Sequence, residues 1–200
     1  MNLFFSGLWS ALRSYREDLN IHGCFFHFSQ AVGRKARSLG MGKHKKLIKS
    51  IIALAFLPAE HIPGAVVKLE AKSEDASEMF DYVKGTWLVE PWVPASWSHF
   101  DRATRTNNDV EGWHNRFNHR AFNNTAPTLY RLIEELYKEG YSVEITFKLV
   151  SLEKLTRRQR KQTKTTQGKL FGIWDMHKAG GLTTEAMLKK CRKLVVTSVE

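Results

Sequence analysis

The sequence predicts a mostly α-helical chain with one or two short strands. Apolar residues recur at three- and four-residue spacings along much of the 200 residues, the mark of one buried helix face. Pro58, the Gly40-Met41-Gly42 break and Gly180-Gly181 punctuate these periodic stretches. Only Ile21 to Phe28, rich in aromatics, is too short for a helix of its own and reads as a buried strand.

In chain order, Phe4, Leu8, Leu12 and Tyr15 place a helix over residues 3–17. The strand at Ile21 to Phe28 then runs into a helix over Gln30 to Ser38, with Ser29 as a possible N-cap. Leu47 to Leu57 continues as an apolar helix halted by Pro58. Ile62 to Lys72 and Glu74 to Val83 follow as helices, the second using Met79, Phe80 and Val83 as contacts. Trp87 to Phe100 is a packed connector rich in Trp and Pro. A helix starts at Asn108 and reaches about Arg120. After the loop Asn123 to Pro127, a long amphipathic helix runs from Thr128 towards Leu155, with Leu129, Leu132, Ile133, Leu136 and Tyr137 as its core stripe. Ile173 to Ala179 and Thr183 to Leu194 form two closing helices, with Thr184 placed to cap the second.

Composition sets the class of partner. Hydrophobic residues make up 42% of the chain and there are six tryptophans, enough to bury a core. The formal net charge is +11 and the pI about 9.7, so polyanions gather at the surface, and nucleic acid is the usual one inside cells. A ribosomal, membrane-surface or merely soluble basic protein shares that charge. Cys24 and Cys191, the two cysteines, form no disulfide framework. The apolar N-terminus has no basic residue before it and no clear cleavage site, a poor fit to a signal peptide. Ile51 to Leu57 is the strongest apolar run, far short of the roughly 20 residues of a membrane span. Neither a membrane nor a small-molecule substrate is expected as a partner.

Three segments could carry chemistry. In the first, Val110, Trp113, Phe117 and Ala121 form a buried stripe, while Glu111, Asn115 and Asn118 share a neighbouring polar face with His114 at its edge. A carboxylate there, beside amides and an imidazole, suits a hard-metal ligand. Asn108-x-x-Glu111 equally fits a capping box, in which the Asn side chain caps the helix and Glu111 folds back on its first amide. In the second, Cys24-x-x-His27 invites a zinc reading. Three positions along a strand put the two side chains on opposite faces, so a half-buried aromatic strand competes with it. The third is basic: Arg34, Lys35, Arg37, Lys43, Lys45, Lys46 and Lys49 fall between Ala31 and Ser50 with no acidic residue, and Arg157, Arg158, Arg160 and Lys161 follow later. Such residues neutralise phosphates with little sequence preference. The later cluster also reads as a nuclear import signal, or as a solvated helix face or linker.

The order of these runs resembles the MULE transposases, the Mutator-like branch of the cut-and-paste DDE enzymes. Gly23-Cys24-Phe25-Phe26-His27-Phe28-Ser29-Gln30-Ala31-Val32 is similar to the Cys-x-x-His block that follows the family's second catalytic aspartate. Ala53 to Pro58 and Tyr82 through Trp87 are similar to the next two blocks. Arg105-Thr106-Asn107-Asn108 with Glu111-Gly112-Trp113-His114 is similar to the block holding the third acidic residue. The likeness spans Gly23 to Tyr141 and continues more loosely to Leu194.

The resemblance implies an incomplete RNase H-like (α/β) transposase core, with a helical insertion at about residues 30–100. It implies a partial transposase domain over residues 1–141 and a basic helical extension over 142–200. Glu111 becomes the third metal-binding carboxylate, for Mg or Mn, with Asn108, His114 and Asn115 in support. Cys24 and His27 become supporting residues. DNA is the implied partner, and the nucleus the implied location. The family's first two aspartates would precede Cys24 on strands that this sequence lacks, Gly33 stands where a large aromatic is expected, and the Gly40 to Lys46 stretch is short. The expectation is therefore a transposase-derived, DNA-binding, catalytically incomplete protein. The alternatives are a domesticated DNA- or protein-binding module, or an enzyme completed by a missing segment or by another copy in a homo-oligomer.

Overall fold

The computed structural model describes residues 11–12, 14–16, 19, 21–102, 108–122, 127–152 and 161–195, leaving aside the side chains of 74, 108–110, 122 and 161–164. The chain divides into two compact units, Met1–Arg105 with Thr165–Glu200, and Thr106–Lys164. Most of the expected helix over residues 3–17 lies outside the described residues.

In the first unit, helix α1 (Phe25–Ser38) begins directly after Cys24, so the expected strand is not formed, and no strand occurs among the described residues. A strand needs a ladder partner. Phe28, Val32 and Ala36 instead form a four-residue helical stripe that is almost fully buried. Ser29 sits inside α1, its hydroxyl donating to the Phe26 carbonyl (2.9 Å), rather than capping it. The helix ends in a left-handed Gly40 (φ 66°), where Gly40 N–H donates to the Arg37 carbonyl and Met41 N–H to that of Ala36. This paired bonding satisfies terminal carbonyls and favours glycine at that turn.

Helix α2 (Lys45–Ala53) gives way to a tighter 3₁₀ turn, Leu54–Phe56, before Pro58, so the apolar segment is helical over less of its length than expected. Its side chains form the centre of the core, with Ile51, Ala53, Leu54, Ala55 and Leu57 fully buried. The turn leaves buried carbonyls that need donors. His99 N–H donates to Ala55 O (2.6 Å), Trp174 Nε1 to Phe56 O (2.9 Å) and Ser98 Oγ to Leu57 O (2.7 Å).

Helices α3 (Ile62–Glu70) and α4 (Ser77–Trp87) follow, the latter entered by a 3₁₀ turn and reaching past the expected Val83. The Trp-rich connector, with one short helix α5 (Pro94–Trp97), is packed as expected. Trp97 is buried, stacks on Phe28 (4.6 Å between centroids), and donates its Nε1–H to the carbonyls of Trp87 (2.8 Å) and Trp92 (3.0 Å).

Helix α8 (Lys161–Lys178), which belongs to this unit from Thr165 onward, is far longer than the expected Ile173 to Ala179, and it buries Leu170, Ile173 and Trp174 in the core. It closes at Gly180 (φ 75°). Thr183, not Thr184, caps α9 (Thr184–Arg192), its hydroxyl accepting from Ala186 N–H (3.3 Å). α9 packs against α2 through Met187, Leu188 and Cys191.

Among the described residues the second unit holds helices α6 (Asn108–Phe122) and α7 (Leu129–Ser151), with the first residues of α8. Phe117 and Ala121 are buried, and Trp113 stacks on Phe117 (5.4 Å). Trp113 Nε1 donates to Glu139 (2.6 Å), and the Arg120 guanidinium donates to the same carboxylate. Thr128 caps α7 by accepting from Arg131 N–H (3.4 Å).

The expected core stripe of α7 is not a core. Leu129 (68%), Ile133 (54%), Leu136 (49%) and Tyr137 (76%) are exposed, and α7 buries no residue. α6 meets the Glu135 and Glu139 side of α7, which Leu132, the half-buried member of the stripe, shares. The boundary expected between residues 141 and 142 falls inside α7, and the closing helices of the expected extension pack into the first unit.

Candidate nucleic-acid interface

The earlier basic cluster lies on α1, the Gly40 turn and the start of α2, and the two helices pack against each other. Burial of Phe28, Val32 and Ala36 on one side of α1 turns Arg34 and Arg37 out to solvent, while Lys35 is half-buried with its Nζ 5.8 Å from the centroid of the Tyr82 ring. Burial of Ile48, Ile51 and Ile52 on α2 likewise leaves Lys45 and Lys46 exposed, with Lys43 exposed in the turn before it. Lys49 is half-buried. The first turn of α2 carries no acidic side chain, so its amide dipoles and these lysines present charge of one sign. Asp75 lies beside this turn, 3.5 Å from His44 Nε2. Such a surface can hold phosphates by charge and by helix-terminal N–H groups.

The later cluster is not brought into view. Arg157, Arg158 and Arg160 lie outside the described residues, and Lys161 opens α8 with its side chain undescribed.

Cys24 and His27 do not lie on a strand. Cys24 is the extended residue before α1 and His27 stands in its first turn, both half-buried. With Cys24 extended before the helix and His27 inside its first turn, the strand geometry that set the two side chains on opposite faces does not apply. Among the described residues no group of three or more His, Cys, Asp and Glu side chains gathers around a common point. Cys191 is fully buried, which pushes its thiol up to about 12, so at neutral pH it is a thiol rather than a metal-binding thiolate.

Glu111 stands half-buried in the first turns of α6, with His114 and Asn115 exposed on the same helix. The His114 ring lies 4.9 Å from that of Trp113. The side chains of Asn108 and Val110 lie outside the described residues, and the capping box and one member of the stripe lie there with them. Glu111 belongs to the second unit and Cys24, His27 and the earlier basic cluster to the first.

Sequence reasoning missed the Trp113–Glu139–Arg120 network, whose members are separated in the chain by a loop. Glu139 is held below its ordinary 4.5 chiefly by the hydrogen bond from Arg120, with Trp113 adding to it. A glutamate three or four residues from other charges reads from sequence as a solvated helix face, and only the α6–α7 packing shows its partners. No protein-family model, curated protein or solved structure matches the chain.

Proposed function

We propose that this chain is a transposase-derived DNA-binding protein, catalytically incomplete by itself, that retains Glu111 as one carboxylate of a metal-dependent DDE-type site. The observation that carries the DNA-binding part is the earlier basic cluster: seven Lys or Arg without an acidic residue between Ala31 and Ser50, most of them exposed on a packed pair of helices. On this reading α6 corresponds to the last helix of an RNase H-like core, and the helices from α1 to the Trp-rich connector correspond to the insertion.

Mg²⁺ and Mn²⁺ take oxygen ligands, and a two-metal phosphodiester site needs several carboxylates to fix both ions. Glu111 supplies one such ligand, and among the described residues no second acidic side chain joins it in a group of three. This donor set does not fit a two-metal site, and no cleavage step is assigned to it.

Salt titration tests the DNA reading. Binding of duplex DNA should weaken as salt rises, and Arg34→Ala, Arg37→Ala, Lys45→Ala and Lys46→Ala should each flatten the log–log slope by about 0.9 for each phosphate left unneutralised. Unchanged slopes would remove DNA as the partner of this surface. Calorimetry with Mn²⁺ beside a Glu111→Ala control tests the carboxylate, and metal-dependent DNA cleavage that disappears on Glu111→Ala would overturn the incompleteness.

A further inference from the structure

Within the first unit, α3 and α9 form the walls of a groove of about 370 Å³, with Ser50 of α2 also in its lining. Ala65, Leu69 and Leu188 give it an apolar floor. Cations line both walls: Lys68 and Lys72 on and just after α3, Lys189 and Arg192 on α9. Glu185 is already engaged, by Lys72 at 2.8 Å and Lys189 at 3.4 Å. Lys68 and Arg192, one on each wall, have no ion-pair partner among the described residues, and Glu60 is the other acidic residue of the lining.

We propose that this groove binds a short acidic peptide segment carrying a bulky apolar anchor. The anchor covers the floor and the flanking carboxylates meet Lys68 and Arg192. Charge complementarity selects an anion. The apolar floor disfavours duplex DNA, whose projecting outer surface is its phosphates and whose thymine methyls lie recessed in the major groove, out of reach of Leu69 and Leu188. One unpaired cation on each wall, Lys68 and Arg192, matches two carboxylates spaced along a peptide better than the single charge of a small organic acid. Anchoring by one buried apolar side chain with a charged rim is the usual division of labour at such sites. The inference stands apart from the DNA-binding reading, since none of its cations belongs to that surface.

Gly64 supplies a clean test. It lines the groove in the first turn of α3, and a Cβ there would meet nothing within 4 Å. Gly64→Leu therefore adds a bulky side chain at the groove's lining with no clash at its Cβ, and helix propensity favours the change. The probe is a fluorescein-labelled acidic peptide with a central Leu-Phe flanked by glutamates, followed by anisotropy at moderate salt.

Saturable binding is expected, weakened about tenfold or more by Gly64→Leu and by Lys68→Glu with Arg192→Glu, as loss of an anchor does. Circular dichroism should show both variants folded. Replacing Leu-Phe by Ser-Ser in the peptide should abolish binding. The proposal is overturned if the peptide does not saturate, if the Ser-Ser peptide binds equally well, or if Gly64→Leu leaves affinity unchanged. It is also overturned if duplex DNA displaces the peptide and itself depends on Lys68 and Arg192.

Discussion

The apolar run Ile51 to Leu57 and the apolar stripe of α7 carry similar hydrophobic content and meet opposite fates. The run is the floor of a core, with Ile51, Leu54 and Leu57 at 0% exposure. The stripe of α7 is left open, with Leu129 at 68% and Tyr137 at 76%. What separates them is partners from elsewhere in the chain. Around the run, residues more than forty positions away supply donors to its carbonyls (Ser98 and Trp174) and apolar cover (Trp174, Met187 and Leu188). Around α7, α6 is the packed partner among the described residues of the unit, through an ion-pair network that leaves most of the stripe uncovered. Hydrophobic periodicity says which side of a helix can be buried; burial itself needs a second surface.

The sharpest way to break this comparison is Trp174. Its side chain is fully buried in the core and donates to Phe56 O. Trp174→Ala should cost about 3–5 kcal/mol, through lost burial and the cavity left behind. Trp174→Phe keeps a ring and removes the donor, and should cost about 1–2 kcal/mol. Leu136→Ala on the open stripe of α7 should change stability by only about 0.5 kcal/mol. Urea melts of the three variants check the ranking. A Leu136→Ala loss as large as that of Trp174→Ala would show that the stripe is covered in solution.

A finer test uses the same local device in both units. Thr183 caps α9 and Thr128 caps α7, each hydroxyl accepting one first-turn N–H. Replacing such a cap by Ala costs about 1 kcal/mol of helix stability. Since α9 packs on the core, Thr183→Ala should lower the global urea midpoint. Thr128→Ala should instead speed hydrogen exchange in the first turns of α7 and leave the midpoint of the first unit unchanged.

How far the sequence is legible follows the same division. The Gly40 turn, the helix beginning at Asn108, the start of α3 at Ile62 and the packed Trp-rich connector rest on local chemistry, and local chemistry is written in the sequence. The start of α1 is not legible, because Ile21 to Phe28 is a short aromatic run that suits a strand as well as a helix, and the burial of Phe28 in line with Val32 and Ala36 decides it. The length of α8 is hidden because Lys161 to Lys164 makes its start look like linker, although Leu170, Ile173 and Trp174 behind it are core residues. Of the candidate site, the exposed faces of Arg34, Arg37, Lys45 and Lys46 are readable from the apolar residues opposite them. The groove between α3 and α9 is not, because its two cationic walls meet only through packing: Lys72 and Glu185, joined across it, stand 113 positions apart in the chain.

The smallest effect expected is a separation of the two units by pH. In the first unit His22 Nε2 lies 2.6 Å from the Arg102 guanidinium, which fits a neutral imidazole accepting the hydrogen bond. Burial, and then the Arg102 charge, hold His22 below its ordinary 6.5. A histidine that resists protonation in the folded chain adds stability that is whole above the unfolded pKa and drains away as pH falls through 6.5 towards the folded value. Glu139 in the second unit is also held below its ordinary value, but as a carboxylate its contribution is whole above 4.5 and is lost only as pH falls below that. Hydrogen exchange followed from about pH 7 to about pH 5, corrected for intrinsic rates, should therefore show a small loss of protection around α1 and the Trp-rich connector while α6 and α7 hold theirs. His22→Gln, which keeps an acceptor and cannot be protonated, should flatten the first response. A parallel loss in α6 and α7 that His22→Gln also flattens would mean that the two units share one titrating group, and the contrast between the core and the two-helix unit would give way to a single cooperative fold.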